Sequence, residues 1–283
     1  MSRLLSKAKR AAEGQLFFSP AKVNVFLRVL GKRADGFHEI SSLFQAIDLG
    51  DEITVIPSSF DQFSTSLSSL PMDESNLVVK ALALFRKKTG NSQCFHIHLD
   101  KKIPLQAGLG GGSSNAATTL WALANSTGNN LSQEELLELS QELGSDVSFF
   151  FSSGVAHVSG RGERLEDLPY GNFLPSFFWI AKPSFGLATA AVYQAFTSST
   201  TQNSSLFYND LEEPAFSLEP SLKRLKKELL QMGFEQVVMS GSGSAFFCLG
   251  EVSSPTYEGV EFFKVHPLKR ASTQWYKQRN AHA

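Results

Sequence analysis

The chain has 283 residues, with 26 basic and 27 acidic residues, a formal net charge of -1, and 42% hydrophobic against 19% charged residues. That balance fits a globular protein with ample core in one large domain or two ordinary ones, and it gives no general attraction to nucleic acid or to a membrane surface. Cys94 and Cys248 both sit in apolar runs and read as small buried hydrophobes in a reducing compartment, not as a disulfide or metal framework.

No stretch reaches transmembrane length, and the basic start from Met1 to Arg10 is not followed by a secretory pattern, so a cytoplasmic location is expected. Met1 to about Gly14 reads as a loosely held arm. Leu16 to Leu30 reads as a strand, rich in Phe17, Phe18, Val23, Val25, Phe26 and Val29. Lys22 and Asn24 share one of its faces, while Val23, Val25 and Leu27 point the other way. A lysine and an amide so placed mark either a solvated edge or a site, and the residues alone favour the edge. Gly31 to Gly36 is turn chemistry. Phe37 and His38 then stand at a loop end, either as ordinary packing or as a stacking platform with a polar reader for one base.

Leu43 to Ile56 alternates as a strand, with an acidic turn from Asp48 to Glu52. Ser58 to Ser69 reads as a surface strand and loop. Asp73 to Thr89 reads as a helix capped by Asp73 or Ser75 and stopped by Gly90. On the following strand, His96 and His98 alternate with Ile97. A metal site is open there, but a polar strand face is the simpler reading.

The strand from Phe95 to Ile103 runs into Pro104-Leu105-Gln106-Ala107-Gly108-Leu109-Gly110-Gly111-Gly112-Ser113-Ser114-Asn115, and a small-residue helix leads out to about Asn125. Strand, glycine loop and helix start build an anion site, because glycine backbone approaches closely and the first helical N–H groups lack partners. No lysine follows the glycines, and Ser113 stands where a Gly-x-Gly-x-x-Gly pattern needs glycine. A P-loop and a Rossmann turn are therefore excluded.

Leu131 to Leu143 is a helix with Ser132 and Glu135 as a capping box and Gly144 as its stop. Gly144-Ser145-Asp146-Val147-Ser148 leads into Phe149 to Phe151, read as a buried strand. Asp146 is then a turn aspartate, or it is paired or working. Ser159 to Glu163 is a further turn, Phe177 to Ala181 a strand, and Thr189 to Phe196 a short helix containing Tyr193. Thr197 to Asn203 is a low-complexity loop. Pro220 to Met232 is an amphipathic helix with Leu222, Leu225 and Leu229 on one face. Two strands, Val237 to Met239 and Ala245 to Leu249, flank Ser240-Gly241-Ser242-Gly243-Ser244, which is either a hairpin turn or a point of close approach to a ligand. Glu261 to Val265 is expected as a last strand and Ala271 to Arg279 as a terminal helix.

Ser19-Pro20-Ala21-Lys22-Val23-Asn24, the stretch from Pro104 to Ala117, and Ser240 to Ala245 resemble, in order and spacing, the three motifs of the GHMP kinase superfamily. Arg33-Ala34-Asp35-Gly36-Phe37-His38, Gly144-Ser145-Asp146-Val147 and Asn209-Asp210-Leu211-Glu212 are similar to one branch of it, in which the acceptor carries a cytidine diphosphate. The resemblance runs from about Leu16 to Leu249. It implies an α+β, two-lobed GHMP kinase fold with an active-site cleft between an ATP-binding lobe, 15–158, and a substrate-binding lobe, 159–283. It implies ATP-dependent phosphorylation of the 2-hydroxyl of a cytidine-diphosphate-linked methylerythritol in isoprenoid precursor supply.

By the same resemblance Asp146 is the base and Lys22 its partner, holding the aspartate ionised. Pro104, Leu105, Gln106, Ala107, Gly108, Leu109, Gly110, Gly111, Gly112, Ser113 and Ser114 hold ATP phosphates, with Asn76 and Lys101 on the adenine side. Asn24 orients the substrate, Phe37 and Tyr193 sandwich its cytosine, His38 reads the edge of the base, and Thr189 lies by the diphosphate or ribose. Magnesium is implied with ATP, with Ser113 or Ser114 the nearest available ligands. Expected partners are ATP and a small-molecule substrate, without nucleic acid or membrane, for a monomer or weak homodimer. The chain departs from the family pattern at Leu105-Gln106-Ala107, at Val147-Ser148, and after Glu251, where Ser253-Ser254-Pro255 replaces the expected helix.

Overall fold

The computed structural model describes residues 14–129, 131–169, 171–197 and 205–278. The expected N-terminal arm and most of the expected loop from Thr197 to Asn203 lie outside the described residues. Strand β1 (Gln15–Lys32) and strand β2 (His38–Ser58) form one long antiparallel hairpin, which pairs Lys22 with Ala46 and Asn24 with Phe44. Register shifts at Pro20/Ala21, Asn24/Phe26 and Val29/Gly31 bend it as bulges do. Next come β3 (Gln62–Thr65), helix α1 (Leu77–Thr89), β4 (Cys94–Asp100), α2 (Gly111–Thr127) and α3 (Gln133–Leu143). A 3-10 helix (Ser148–Phe151) and the hairpin of β5 (Val155–Gly160) and β6 (Arg164–Asp167) follow.

The chain then builds β7 (Phe178–Pro183), α4 (Thr189–Ala195), β8 (Tyr208–Asn209), α5 (Glu212–Leu218) and α6 (Pro220–Gln231). Strands β9 (Gln236–Met239), β10 (Phe246–Leu249) and β11 (Val260–Val265) complete it. The first sheet runs β3-β4-β2-β1-β8, with β5 on β2 and β6 on β5; the second runs β11-β7-β10-β9.

Three apolar clusters hold the layers together. One lies between the first sheet and α1, α2 and α3, around Phe44, Phe85, Phe95, Leu120 and Phe149. A second joins the two sheets, with Val23 and Val25 of β1 against Phe178, Ile180 and Phe247. The third covers the second sheet with α5 and α6, through Leu222, Leu225 and Leu229. The face of α6 is as the spacing of its leucines predicts.

Local chemistry moves several boundaries. Helix α1 begins after Asn76, whose Oδ1 accepts from the Val78 N–H at 3.0 Å, while Asp73 accepts from the Ser75 N–H and closes its own turn. Gly90 ends the helix in the left-handed region as expected. Phe149 to Phe151 is a 3-10 helix and not a strand; a run buried all round carries no periodicity to separate the two. No terminal helix forms over 271–278, because the Arg270 guanidinium donates to the Ser272 and Gln274 carbonyls and holds the segment as a turn. His96 and His98 form a polar strand face, each ring 2.8 Å from Ser64 Oγ. The ladder also does not divide at residue 158: that point lies inside β5, the β5–β6 hairpin belongs to the first sheet, and β8 pairs in parallel with β1.

Candidate active site

From Phe18 to Val25 both faces of β1 are buried, which overturns the solvated-edge reading of Lys22 and Asn24: they are 3% and 1% exposed. Lys22 Nζ donates to Asn24 Oδ1 at 2.6 Å, stands 3.5 Å from Asp146 Oδ2, and lies 4.4 Å from the centroid of the Phe44 ring. Asn24 is fixed in turn, its Nδ2 donating to Ser42 Oγ and its backbone N–H to Ser240 Oγ. Burial pulls the Lys22 ammonium below the ordinary lysine range, and the Asp146 carboxylate opposes that pull. Asp146 itself is half-open to the cleft, in the turn between α3 and the 3-10 helix.

The glycine loop connects β4 to α2, with Gly110 as the helix N-cap in a left-handed conformation, φ 69°. A Cβ on Gly110 would stand 2.9 Å from Lys22 Cγ, so the bare glycine lets the lysine stem run beside the loop. At Gly108, φ 72°, a Cβ would meet the Ser240 carbonyl oxygen at 1.9 Å. Ser240 Oγ donates to the Gly108 carbonyl, and the Ser244 and Ala245 N–H groups donate to the Gln106 and Ala107 carbonyls. The two glycine segments are thus bonded back to back. The turn from Ser240 is a hairpin turn, joining β9 to β10, and it also places Gly241 and Ser242 in the wall of the cleft.

A cleft of about 900 Å³ takes in Lys22, Asn24, Asp146, Lys101, Thr189, Tyr193, Phe37 and His38 and the whole of Pro104 to Ser113. At the loop end, Lys101 Nζ is 2.7 Å from Asp51 Oδ2 and donates to the Ile103 carbonyl. Asp51 is fully buried and also accepts from the Lys102 and Ile103 N–H groups and from Asn115 Nδ2. Burial lowers the Lys101 ammonium as it does Lys22, with Asp51 opposing.

At the other end the aromatic residues differ in arrangement from the expected sandwich. The His38 ring, not that of Phe37, stacks on Tyr193, at 5.3 Å between centroids, and Phe196 meets it edge-on at 5.9 Å. Phe37 is 54% exposed and carries the Arg161 guanidinium over its face at 5.1 Å. Thr189 Oγ1 lies 2.9 Å from Ser242 Oγ. Burial, reinforced by Asp146, pushes the Tyr193 hydroxyl well above the usual tyrosine range, so it stays a neutral phenol.

Two expected site residues are not brought to the cleft wall. Asn76 caps α1, and its Nδ2 donates to the Pro71 carbonyl, so both ends of the amide are engaged. Ser114 is fully buried with its hydroxyl 2.8 Å from Ser19 Oγ. Conversely, Arg161 and Ser242 line the cleft, and Asp51 pairs with Lys101 behind it, which their neighbourhoods in the sequence do not suggest. Asp51 reads as one of several turn acids; its invitation to notice is only that it stands in a buried strand. Arg161 sits in a turn whose contact with the cleft depends on β5 pairing with β2.

The model of the GHMP kinases N terminal domain matches residues 76–154, and that of the GHMP kinases C terminal matches residues 194–255. The chain is 48% identical over 271 residues to the 4-diphosphocytidyl-2-C-methyl-D-erythritol kinase of Protochlamydia amoebophila, covering 92% of each. It is 44% identical to the chloroplastic enzyme of the same name from Arabidopsis thaliana, covering 92% of this chain and 76% of that one. A crystal structure of 4-(cytidine 5'-diphospho)-2C-methyl-D-erythritol kinase superposes with a TM-score of 0.72 at 34% identity, over 84% of this chain and 90% of that one. Homoserine kinase from Cytophaga hutchinsonii shares the fold, with a TM-score of 0.67 at 20% identity over 92% and 96% of the two chains.

Proposed function

The chain belongs to the GHMP kinase family, and from that premise we infer that it transfers the terminal phosphoryl group of ATP to the 2-hydroxyl of 4-diphosphocytidyl-2-C-methyl-D-erythritol. The observation that carries the reading is the meeting, in one cleft, of the Lys22–Asp146 pair with the glycine loop on one side and an aromatic end on the other. Kinases use ATP, and phosphoryl transfer asks mainly for phosphates held in line and for charge to be compensated. Backbone N–H groups at the start of α2 and the helix dipole suit the first task. Lys22 suits part of the second.

In the transfer the acceptor oxygen bonds to the terminal phosphorus, the bond from that phosphorus to the bridging oxygen breaks, and ADP leaves with the electron pair. The hydroxyl proton passes to Asp146. The ammonium of Lys22, 3.5 Å away, favours an ionised aspartate ready to accept it. Asn24, held by Lys22 and Ser42, orients the acceptor. The cytosine stacks at the aromatic end, where His38 turns off the Tyr193 ring to admit it and then meets the edge of the base. Arg161 and Thr189 line the same end and suit the diphosphate.

Among the described residues no cluster of three or more His, Cys, Asp or Glu side chains could enclose a metal ion. That fits magnesium, which keeps several waters and rides on phosphate oxygens with one or two protein ligands. Ser113, which faces the cleft, would hold it; Ser114 is already engaged. Bound there, the ion would neutralise charge on the transferring phosphoryl group.

A small alcohol such as homoserine or mevalonate is the competing acceptor within the fold, and the aromatic end argues against it. Coupled measurement of ADP release with the cytidine-linked alcohol, homoserine and mevalonate separates them. Turnover restricted to a small alcohol overturns the reading, and turnover with none points to a binding protein that kept the fold.

A further inference from the structure

We infer that Arg270 is a positioning residue for Asp146, and that the segment from Leu268 to Tyr276 is a strap that locks the turn carrying this aspartate. The inference rests on Asp146 being the base. Asp146 lies in a turn closed by the Val147 N–H donating to the Gly144 carbonyl, and this turn runs straight into the 3-10 helix (Ser148–Phe151). The end of so short a helix leaves carbonyls without intrahelical partners. Arg270 supplies the partners: Nη2 donates to the Phe151 carbonyl, Nε to the Ser152 carbonyl at 2.8 Å, and its own backbone N–H to the Ser153 carbonyl at 2.9 Å.

The guanidinium is itself immobilised. It is buried, with its Cζ 5.4 Å, 5.2 Å and 5.7 Å from the ring centroids of Trp121, Trp275 and Tyr276. Such contacts are strengthened by desolvation. Trp275 stacks on Trp121 and donates from Nε1 to the Phe18 carbonyl at 2.9 Å, which pins the strap to β1. Upstream, the Leu268 N–H donates to the Ala46 carbonyl, and Gln45 Nε2 donates to the Leu268 carbonyl, which pins it to β2.

The helix so held touches each part of the chemistry. Phe149 packs edge-on against Phe44, whose face carries the Lys22 ammonium. The Phe150 ring lies where a Cβ on Gly110 would come within 3.3 Å of it. Neither Arg270 nor Trp275 lines the cleft. The strap therefore acts on the chemistry only through the elements it holds, of which the turn carrying Asp146 is the one that Arg270 fastens.

The test compares wild type, Arg270→Met, which keeps the apolar stem, and Arg270→Lys, which keeps the charge without the planar fork. Steady-state kinetics are read beside hydrogen exchange of the amides of residues 147–152. The expected result is a fall in kcat of about 10-fold or more in both variants, since misplacement by about 1 Å can cost about 100-fold. KM for ATP and for the acceptor should stay within about twofold, and exchange at 147–152 should quicken. Unchanged kcat, or equal losses explained by a lower folded fraction, overturns the inference. If Arg270→Met does not fold, Trp275→Phe carries the test, with the same two readouts and the same overturning result. If wild type does not turn over at all, the proposed reaction fails, and unchanged exchange at 147–152 in the variants then overturns the strap separately.

Discussion

Lys22 Nζ lies 3.5 Å from Asp146 Oδ2 and 2.6 Å from Asn24 Oδ1, so one buried cation orders both an acid and an amide toward the same space. Replacing Asp146 by Asn keeps the shape and removes the proton acceptor. The expected outcome is a loss of about 10²–10⁴-fold in kcat with little change in KM for ATP. Retention of most of the activity would exclude Asp146 as the base.

The same cation sets an alkaline limit. Burial holds Lys22 below the ordinary lysine range, so its charge is lost at a pH where a solvated lysine keeps it. Turnover should fall on the alkaline side with an apparent pKa under 10.5. Stability should not fall with it. Between the lowered native value and 10.5 the unfolded chain binds more protons at Lys22 and Lys101 than the native one, so their contribution to stability rises with pH in that window. Initial rates and urea midpoints measured across one pH series check the divergence. A parallel decline would show that global unfolding, not Lys22, sets the limit.

Asp51 is the fastening of the glycine loop, with Lys101 at 2.7 Å as its buried counter-charge. Asp51→Asn leaves Lys101 unpaired, and breaking a buried pair in this way costs about 3–5 kcal/mol. Urea denaturation should show a loss of that order, together with a higher KM for ATP. A change within ~0.5 kcal/mol, the usual range of a surface substitution, would mean that the backbone N–H donors alone hold the loop.

Phe37→Ala tests the aromatic end. Stacking of a base on an aromatic ring is worth about 1–3 kcal/mol. The acceptor KM should therefore rise by about 5- to 150-fold while kcat changes little. An unchanged KM would place the cytosine elsewhere, with the His38–Tyr193 stack kept closed.

The period-2 pattern of β1, the leucine face of α6, the Ser132 capping box and the glycine loop are all local signals, and each reads from a few neighbouring residues. Lys22 and Asp146 are different. Each is ambiguous alone, and their pairing became legible only through the resemblance of several motifs in order. What stayed hidden is long-range. Lys22 reads as a solvated edge because a strand buried on both faces looks, at that position, like any strand with one polar face. Phe149 to Phe151 reads as a strand because a fully apolar run carries no period. The turn after Ala271 reads as a helix because nothing nearby announces that Arg270 will take its carbonyls. Asp51 owes its place to donors from Lys101 to Ile103, just after β4, and from Asn115 in α2, none adjacent to it in sequence.

The strap also bears on how the chain is assembled during synthesis. Phe18 and Trp121 emerge from the ribosome well before Trp275, which packs on Trp121 and bonds to the Phe18 carbonyl. The first sheet and its helices therefore cannot close around this aromatic ring until translation has passed Trp275. Domains ordinarily fold as units in the order in which they are made. Here the first sheet waits for a segment made after the second, so a nascent chain halted before Trp275 holds both Lys22 and Asp146 yet lacks the closure behind them.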